Sequence, residues 1–381
     1  MQGYLIMGTL SSEPYKNFIP LPLPPVPAIN LAEVSENMDM ASRAIGELNG
    51  AITEDINPAL INYMFVRKEA VLSSQIEGTQ GTLDDLLKFE SAESPGLPID
   101  DAIEASSYSA AMNHAVERLS EGFPLCMRLI REIHQILLSN TRGHGKMPGE
   151  LRTTQNWIGG SRPGNAKFVP PPPDMVPSLL GDLENFIHAD DKITGLLKAA
   201  LIHIQFETIH PFLDGNGRVG RILITLFLFV KGYLKSPLLY LSLFFKNYRD
   251  DYYEKIKNVR ESGDWEDWIN FFLEGIVVTA QDAQTTFFAI KKLFAHDGER
   301  AAALGRPSTS ALLVLEEFKK KPMQTVATLT KATGKTKPTV IASVNHLTQL
   351  GIIKNISARK WGKLYSYDSY IALMRPGTEL D

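Results

Sequence analysis

The sequence predicts a mainly α-helical chain with one β-hairpin in its middle and a distinct helix-and-hairpin module at its end. Three observations carry this. From Leu31 onward, apolar residues recur at three- and four-residue spacing through most of the chain. Residues 151–173 break that spacing with two short runs around Ser161-Arg162-Pro163-Gly164-Asn165, a cluster of turn residues. Beyond Arg306 the helical runs shorten, two β-type runs follow, and the charge changes sign. Residues 306–381 carry 12 Lys and Arg against 5 Asp and Glu, whereas the rest of the chain carries 27 against 38. At ~100–150 residues per domain, 381 residues allow two or three domains.

Taken in order, residues 1–30 are proline-rich, with PLPLPPVP at Pro20–Pro27, and are expected as an extended, polyproline-like arm. A helix starts at Leu31 and a second at Asn57-Pro58, since proline suits a first turn. In the second, Leu60, Ile61, Met64, Phe65, Ala70 and Val71 fall at helical spacing, and Gly78 is a natural stop. Thr82 and Asp85 can cap the next start, before Leu83, Leu86 and Leu87. Further helices are expected near 101–119, 125–139, 175–189, 192–208, 218–232, 248–262 and 265–295. Four prolines, Pro170–Pro173, keep the intervening hairpin from being an interior strand. Residues 297–307 read as a hinge. Then come helices at 308–320, 325–333 and 337–349, and short strands around Lys354–Ile356 and Leu364–Tyr367. Helix-turn-helix followed by a hairpin is the signature of a winged helix.

Composition excludes several classes. Hydrophobic residues are 44% and charged residues 22%, ordinary globular usage. The single cysteine, Cys126, allows no internal disulfide and no multi-cysteine metal site, which favours a reducing compartment. The apolar run Ile222–Val230 is far short of the ~20 residues a spanning helix needs. The first residues lack the cationic start and long apolar region of a secretion signal. A soluble, cytoplasmic protein with no membrane partner is expected.

The chemistry concentrates in Ile209–Arg221, IHPFLDGNGRVGR. Gly215-Asn216-Gly217 can turn consecutive N–H groups into one concavity, a nest for anions. The helix that follows adds the positive end of its dipole. Arg218 and Arg221, three apart, share a helix face and suit phosphate oxygens. Asp214 beside them is where Mg²⁺ would sit, since that ion is held by one or two carboxylates plus phosphates. His210 is the group able to accept a proton near neutral pH. Together these parts point to phosphoryl-type transfer. Phe212 reads as a buried anchor. His203 and Glu207, four apart, are expected to share an intrahelical hydrogen bond. His114, His134, His144, His188, His296 and His346 read as isolated.

HPFLDGNGRVGR resembles the signature of Fic-domain proteins, H-x-F-x-[DE]-G-N-G-R-x-x-R, at every position. Residues 15–80, with YKNFIPLPLPPVP and KEAVLSSQIEGTQ, are similar to the segment preceding many Fic domains, and a winged-helix end is common in that subgroup. The resemblance implies a Fic-type helical domain with a β-hairpin flap and a C-terminal winged helix, divided as 1–105, 106–296 and 303–381. It implies ATP- and Mg²⁺-dependent transfer of AMP to a Ser, Thr or Tyr hydroxyl of a target protein or of the chain itself, with release of pyrophosphate. By position, His210 would be the general base and Asp214 would hold Mg²⁺. Gly215, Asn216 and Gly217 would cradle the α- and β-phosphates. Arg218 would meet the β-phosphate and Arg221 the γ-phosphate.

Ser73-Ser74-Gln75-Ile76-Glu77-Gly78 resembles the family's inhibitory motif, [ST]-x-x-x-E-[GN]. This implies that Glu77 pairs with Arg221 and displaces the γ-phosphate, with Ser73 and Gly78 framing it. The flap resembles the family's target-positioning hairpin, implicating Lys167, Phe168 and Val169. Tyr252 matches a tyrosine bordering the nucleotide in relatives, with Tyr253 as the neighbouring alternative. Arg260 stands near where some relatives carry a nucleotide-binding Asn, a departure. In the tail, Lys335, Lys337, Lys354, Arg359, Lys360 and Lys363, with Trp361 and Tyr365 interleaved, suit a nucleic-acid surface. Asn345 and Gln349 are the best base-reading candidates there. A nucleotide-sensing, DNA-binding transcriptional regulator is therefore the alternative reading. Such modules also dock proteins or form dimers, so a homodimer is a further partner expectation.

Overall fold

A computed structural model of the chain describes residues 2–10, 12–52, 58–91, 99–357 and 362–380. In chain order the first elements are β1 (Gly3–Leu10), β2 (Glu13–Pro20), α1 (Leu31–Ala51), α2 (Pro58–Ile76), α3 (Leu83–Glu90), α4 (Ile99–Ser120) and α5 (Met127–Leu138). Next come α6 (Val176–His188), α7 (Gly195–Ile209), α8 (Asn216–Val230), α9 (Ser242–Asn247), α10 (Arg249–Glu261) and α11 (Trp265–Ala302). The last are α12 (Ser308–Lys320), β3 (Met323–Thr325), α13 (Val326–Thr333), α14 (Lys337–Gln349), β4 (Lys354–Asn355), β5 (Leu364–Ser366) and α15 (Asp368–Met374). The mainly α expectation holds. No helix among the described residues is long and apolar enough to cross a membrane.

Two compact units result. The first contains Met1–Gly46, Ser107–Pro237 and Leu241–Thr279. Its centre is α7 packed on α8. Leu196 through Ile209 of α7 are all buried, as is α8 from Arg218 to Leu228. A helix apolar on every side has to lie inside its domain. The Trp268 indole N–H donates to the Ala200 carbonyl (3.1 Å) and ties α11 to α7.

The expected arm at residues 1–30 is corrected here. Residues 3–20 form an antiparallel hairpin, running in register from Gly3↔Pro20 to Leu10↔Glu13. The proline run begins only where β2 ends, so it dominates the composition of the segment without preventing the pairing before it. Tyr15, Phe18 and Ile19 of β2 are buried. The flap is correspondingly leaner than a two-stranded hairpin: one bridge, Ile158↔Phe168, is its only pairing among the described residues. Gly159 and Gly160, both at positive φ, and Pro170–Pro173 leave no room for longer strands.

The second unit contains Glu47–Ser106, Leu238–Tyr240 and Ala280–Asp381. Here α2 packs on α3, α12 and α15. The expected core residues Met64, Phe65, Ala70 and Val71 are buried; Asn57 lies outside the described residues. Thr82 and Asp85 form the expected capping box of α3. Helices α12 and α14 match their expected limits, and β3 joins the two expected strands in an antiparallel sheet of order β3-β5-β4. The expected hinge at 297–307 is corrected: α11 continues to Ala302. Glu299, Arg300 and three alanines favour helix there, and Asp297 is buried, accepting from the Tyr367 hydroxyl (2.8 Å) and pairing with Arg300 (2.9 Å).

Candidate active site

The site is built where α7 turns into α8. Helix α7 stops because His210 adopts a left-handed conformation, φ 49° and ψ 62°. That is uncommon for a residue with a side chain and marks a position under constraint. The His210 backbone N–H still closes the last turn on the Phe206 carbonyl (2.9 Å). Its Nδ1 lies 3.3 Å from the Glu207 carbonyl. A carbonyl only accepts, so Nδ1 carries the proton and Nε2 of the neutral ring is the proton acceptor.

The loop after His210 is held from several directions. Phe212 is fully buried and stacks on His134, with ring centroids 3.7 Å apart and planes 9° from parallel. Asn216 clamps Phe212 twice: Oδ1 accepts from the Phe212 N–H and Nδ2 donates to its carbonyl, both at 2.9 Å. Asn156 Nδ2 donates to the same carbonyl (2.9 Å). Gly215 sits at φ 76° and is the N-cap of α8; its N–H donates to Asp214 Oδ1 (2.6 Å). The first N–H groups of α8 therefore open directly beside the loop. Gly220 permits close packing of the two helices, since a Cβ there would come within 2.5 Å of Glu207 Oε1.

Arg218 and Arg221 are buried on α8, and Arg218 Nη2 lies 3.6 Å from Asp214 Oδ1. Two guanidinium groups at the positive end of a helix create a potential that favours anions. The Asp214 side chain is 44% exposed. Among the described residues no group of three or more His, Cys, Asp or Glu could hold a metal ion. One accessible carboxylate beside an anion pocket suits Mg²⁺, which takes most of its ligands from phosphates and water.

A cavity of about 1100 Å³ is walled by the N-terminal hairpin (Leu5, Phe18), the flap (Ile158, Phe168) and α10 (Tyr253, Arg260), and reaches α7 at Glu207 rather than the 210–221 loop itself. The flap is fastened to β2, because the Phe18 N–H donates to the Val169 carbonyl (2.9 Å). Phe168 bonds across to Ile158 through its N–H (3.1 Å) and its carbonyl (2.8 Å). Lys167 is exposed, Phe168 half-buried and Val169 buried. Arg260 lies over the Phe168 ring at 3.7 Å and donates to Thr208 Oγ1 (3.2 Å); burial lowers its pKa to about 10.

Of the two tyrosines, Tyr253 lines the cavity. Tyr252 is a core residue, stacked on Phe245 at 4.4 Å. Its hydroxyl lies 2.7 Å from His203 Nε2, and His203 Nδ1 lies 3.3 Å from the Gly220 carbonyl. The expected His203–Glu207 bond is thus replaced by these two partners. Burial, then the charge of Arg221, lowers the His203 pKa to about 3.

Two residues of this site carried no signal in the sequence. His134 is not isolated: its Nδ1 accepts from the Gly149 N–H (2.8 Å), so its Nε2 carries the proton and donates to the Asp214 carbonyl (3.1 Å). Burial lowers its pKa to about 4 and keeps it neutral. Arg152 donates through Nε to the His210 carbonyl (2.9 Å). The remaining sequence candidates lie in the second unit. Ser73 is buried within α2, Glu77 occupies the exposed turn just after it, and Gly78 closes that turn at φ 97°.

The Fic/DOC family profile matches residues 124–228, and the Fic/DOC family N-terminal profile matches residues 35–117. A protein of Aquifex aeolicus named "probable protein adenylyltransferase" is 48% identical over 69 residues, 18% of this chain and 22% of that protein. The protein adenylyltransferase Fic of Drosophila grimshawi is 29% identical over 251 residues, 64% of this chain and 47% of that protein. The chain thus spans less than half the length of either relative. Among solved structures, a Fic family protein from Desulfovibrio desulfuricans shares the fold with a TM-score of 0.58 at 20% identity, over 89% of this chain and 97% of that one. C. elegans Fic-1 (residues 134–508) shares it with a TM-score of 0.52 at 21% identity, over 65% and 72%. The chain is thus similar to the Fic/DOC family in two segments, matched in their order along the chain, with every signature position present between His210 and Arg221.

Proposed function

We propose that this chain is an auto-inhibited protein adenylyltransferase that moves AMP from ATP to a Ser, Thr or Tyr hydroxyl of a protein target or of itself. The observation that carries this is the left-handed His210, with Nε2 as proton acceptor, set immediately before the Gly215-capped start of α8 with its buried Arg218 and Arg221. The names of the relatives point the same way.

In this reading His210 Nε2 takes the proton of the incoming hydroxyl as its oxygen attacks the α-phosphorus. The new P–O bond forms opposite the bridging oxygen, whose bond to the α-phosphorus breaks, and pyrophosphate leaves. Gly215, Asn216 and Gly217 cradle the α- and β-phosphates, Arg218 meets the β-phosphate and Arg221 the γ-phosphate. Asp214 is the residue that would hold Mg²⁺, which supplies neutralisation of the phosphate charge. Tyr253 borders the nucleoside, with Tyr252 bracing that wall through His203. Lys167 offers its carbonyl to an extended target segment, while Phe168, whose N–H and carbonyl are both taken by Ile158, presents its ring. Val169, whose carbonyl is taken by Phe18, anchors the flap rather than receiving the target.

Glu77 is the brake, pairing with Arg221 and denying it to the γ-phosphate. Incubation of Glu77→Gly with labelled ATP and a cell lysate should raise AMP incorporation at least about tenfold over wild type, and adding His210→Ala should abolish it. Equal labelling by Glu77→Gly and wild type would remove the brake from the proposal.

A second reading rests on the α12–β5 module, taken as a winged helix. Lys331, Lys335 and Lys337 are exposed around the start of α14, with Asn345 and Gln349 exposed along it; Arg359, Lys360 and Trp361 lie outside the described residues. A DNA-binding regulator would show duplex binding by the full chain that weakens steeply with salt. Its absence at low salt would leave that module to protein docking.

A further inference from the structure

Arg152 has an unusual set of partners. It is 2% exposed. Its Nε donates to the His210 carbonyl (2.9 Å), and its Nη2 donates to the carbonyls of Ile209 (3.3 Å) and Pro171 (2.5 Å). Its backbone N–H donates to the Pro211 carbonyl (3.0 Å). One residue thus holds three consecutive carbonyls around His210 and one at the base of the flap. Among the described residues it pairs with no carboxylate, and its Nη1 is buried without a hydrogen-bond partner.

Burying a cation without a counter-ion costs several kcal/mol. The last carbonyls of α7 offset part of that, because they carry the negative end of the helix dipole. Ending α7 does not require such a group: a glycine at position 210 would take the left-handed turn without it. The cation is needed only if a residue with a side chain has to hold that turn in one fixed form. The guanidinium fork suits this task, since its planar donors fix the directions of several carbonyls at once.

We infer that Arg152 is a positioning residue for the transfer reaction: by gripping the carbonyls of Ile209, His210 and Pro171 it sets the direction of the His210 imidazole and couples it to the flap. This rests on the adenylyltransferase reading of the site. It makes the base and the target-holding flap parts of one rigid assembly, built by a residue outside the signature. Misplacing a catalytic group by about 1 Å can cost about a hundredfold in rate.

The test uses the full chain carrying Glu77→Gly, with Arg152→Gln or Arg152→Lys added. Transfer from α-labelled ATP to protein gives kcat and the KM for ATP. The ¹³Cε1–¹H resonance of His210, assigned by its loss in His210→Ala, reports the order of the imidazole without needing activity. Arg152→Gln is expected to lower kcat at least about thirtyfold with the KM for ATP within about twofold. The single His210 resonance should broaden or split, and Arg152→Lys should recover only part of both. An unchanged His210 resonance, an unchanged kcat, or a rise in KM with kcat intact would each overturn the inference. Unfolding of both variants would do so too, by making Arg152 a requirement of the fold. If the Glu77→Gly parent transfers no AMP, the functional reading fails, and the His210 resonance alone still decides the role of Arg152.

Discussion

Two turns follow helices in this chain, and they are held in opposite ways. The turn from His210 to Gly215 is gripped by Arg152, His134, Asn156 and Asn216, all reaching it from outside or across the loop. The turn at Glu77-Gly78 is held by short backbone bonds to Ser74 and Gln75, on an exposed stretch. Gln75, beside it, donates to the carbonyls of Gly81 (2.9 Å) and Thr378 (3.0 Å) within its own unit. On the function proposed above, the contrast teaches that a base has to be fixed before the substrate arrives, whereas a brake has to be able to leave. Burial suits the first and exposure the second.

The sharpest way to break this comparison is to weaken both turns and measure unfolding in urea. Phe212→Ala should cost about 3–5 kcal/mol, because it empties a fully enclosed site stacked on His134. Gly78→Ala should cost only about 1–2 kcal/mol, because the position is exposed, a Cβ there meets nothing within 4 Å, and only the positive φ opposes a side chain. Similar losses from the two substitutions would erase the distinction.

An effect that is smaller per pH unit should follow from acidification. His134 and His203 are buried neutral, with pKa values lowered by burial to about 4 and about 3. Both titrate near ~6.5 when unfolded. Their contribution is complete above that value and is lost as pH falls through the interval toward the folded values, because the unfolded chain takes up the protons. Each should therefore remove about 1.4 kcal/mol per pH unit below ~6.5. Urea midpoints measured from pH 7 to pH 5 should fall with this slope, and His134→Gln should remove about half of it. A flat profile over that interval would mean that these two rings are accessible to protons in the folded state.

How far the sequence could be read depended on the distance over which each feature is determined. The capping box of α3 and the limits of α12 and α14 are local matters of a few residues, and they were legible. So was the 210–221 loop, where base, turn and cations follow one another. The partners of that loop were not legible: His134 lies 80 residues from Asp214, and Arg152 lies 58 residues from His210. No spacing rule links such positions, so their roles emerge only from packing. The N-terminal hairpin was hidden for a different reason. Its pairing depends on β2 finding both β1 and a buried face, while the neighbouring proline run advertises an extended chain. The continuation of α11 to Ala302 was not legible, because residues 297–307 hold two glycines and a proline, yet a Cβ built at Gly298 meets nothing within 4 Å. A single glycine without a packing demand does not stop a helix of good formers.

The bond from Phe18 to Val169 changes how the first twenty residues should be regarded. They act as a splint on the flap, and, on the adenylyltransferase reading proposed above, a shortened protein lacking them would keep the 210–221 loop intact while its hold on the acceptor chain slackened. On that reading, trimming that looks harmless would alter which proteins are chosen before it altered how fast the nucleotide is handled.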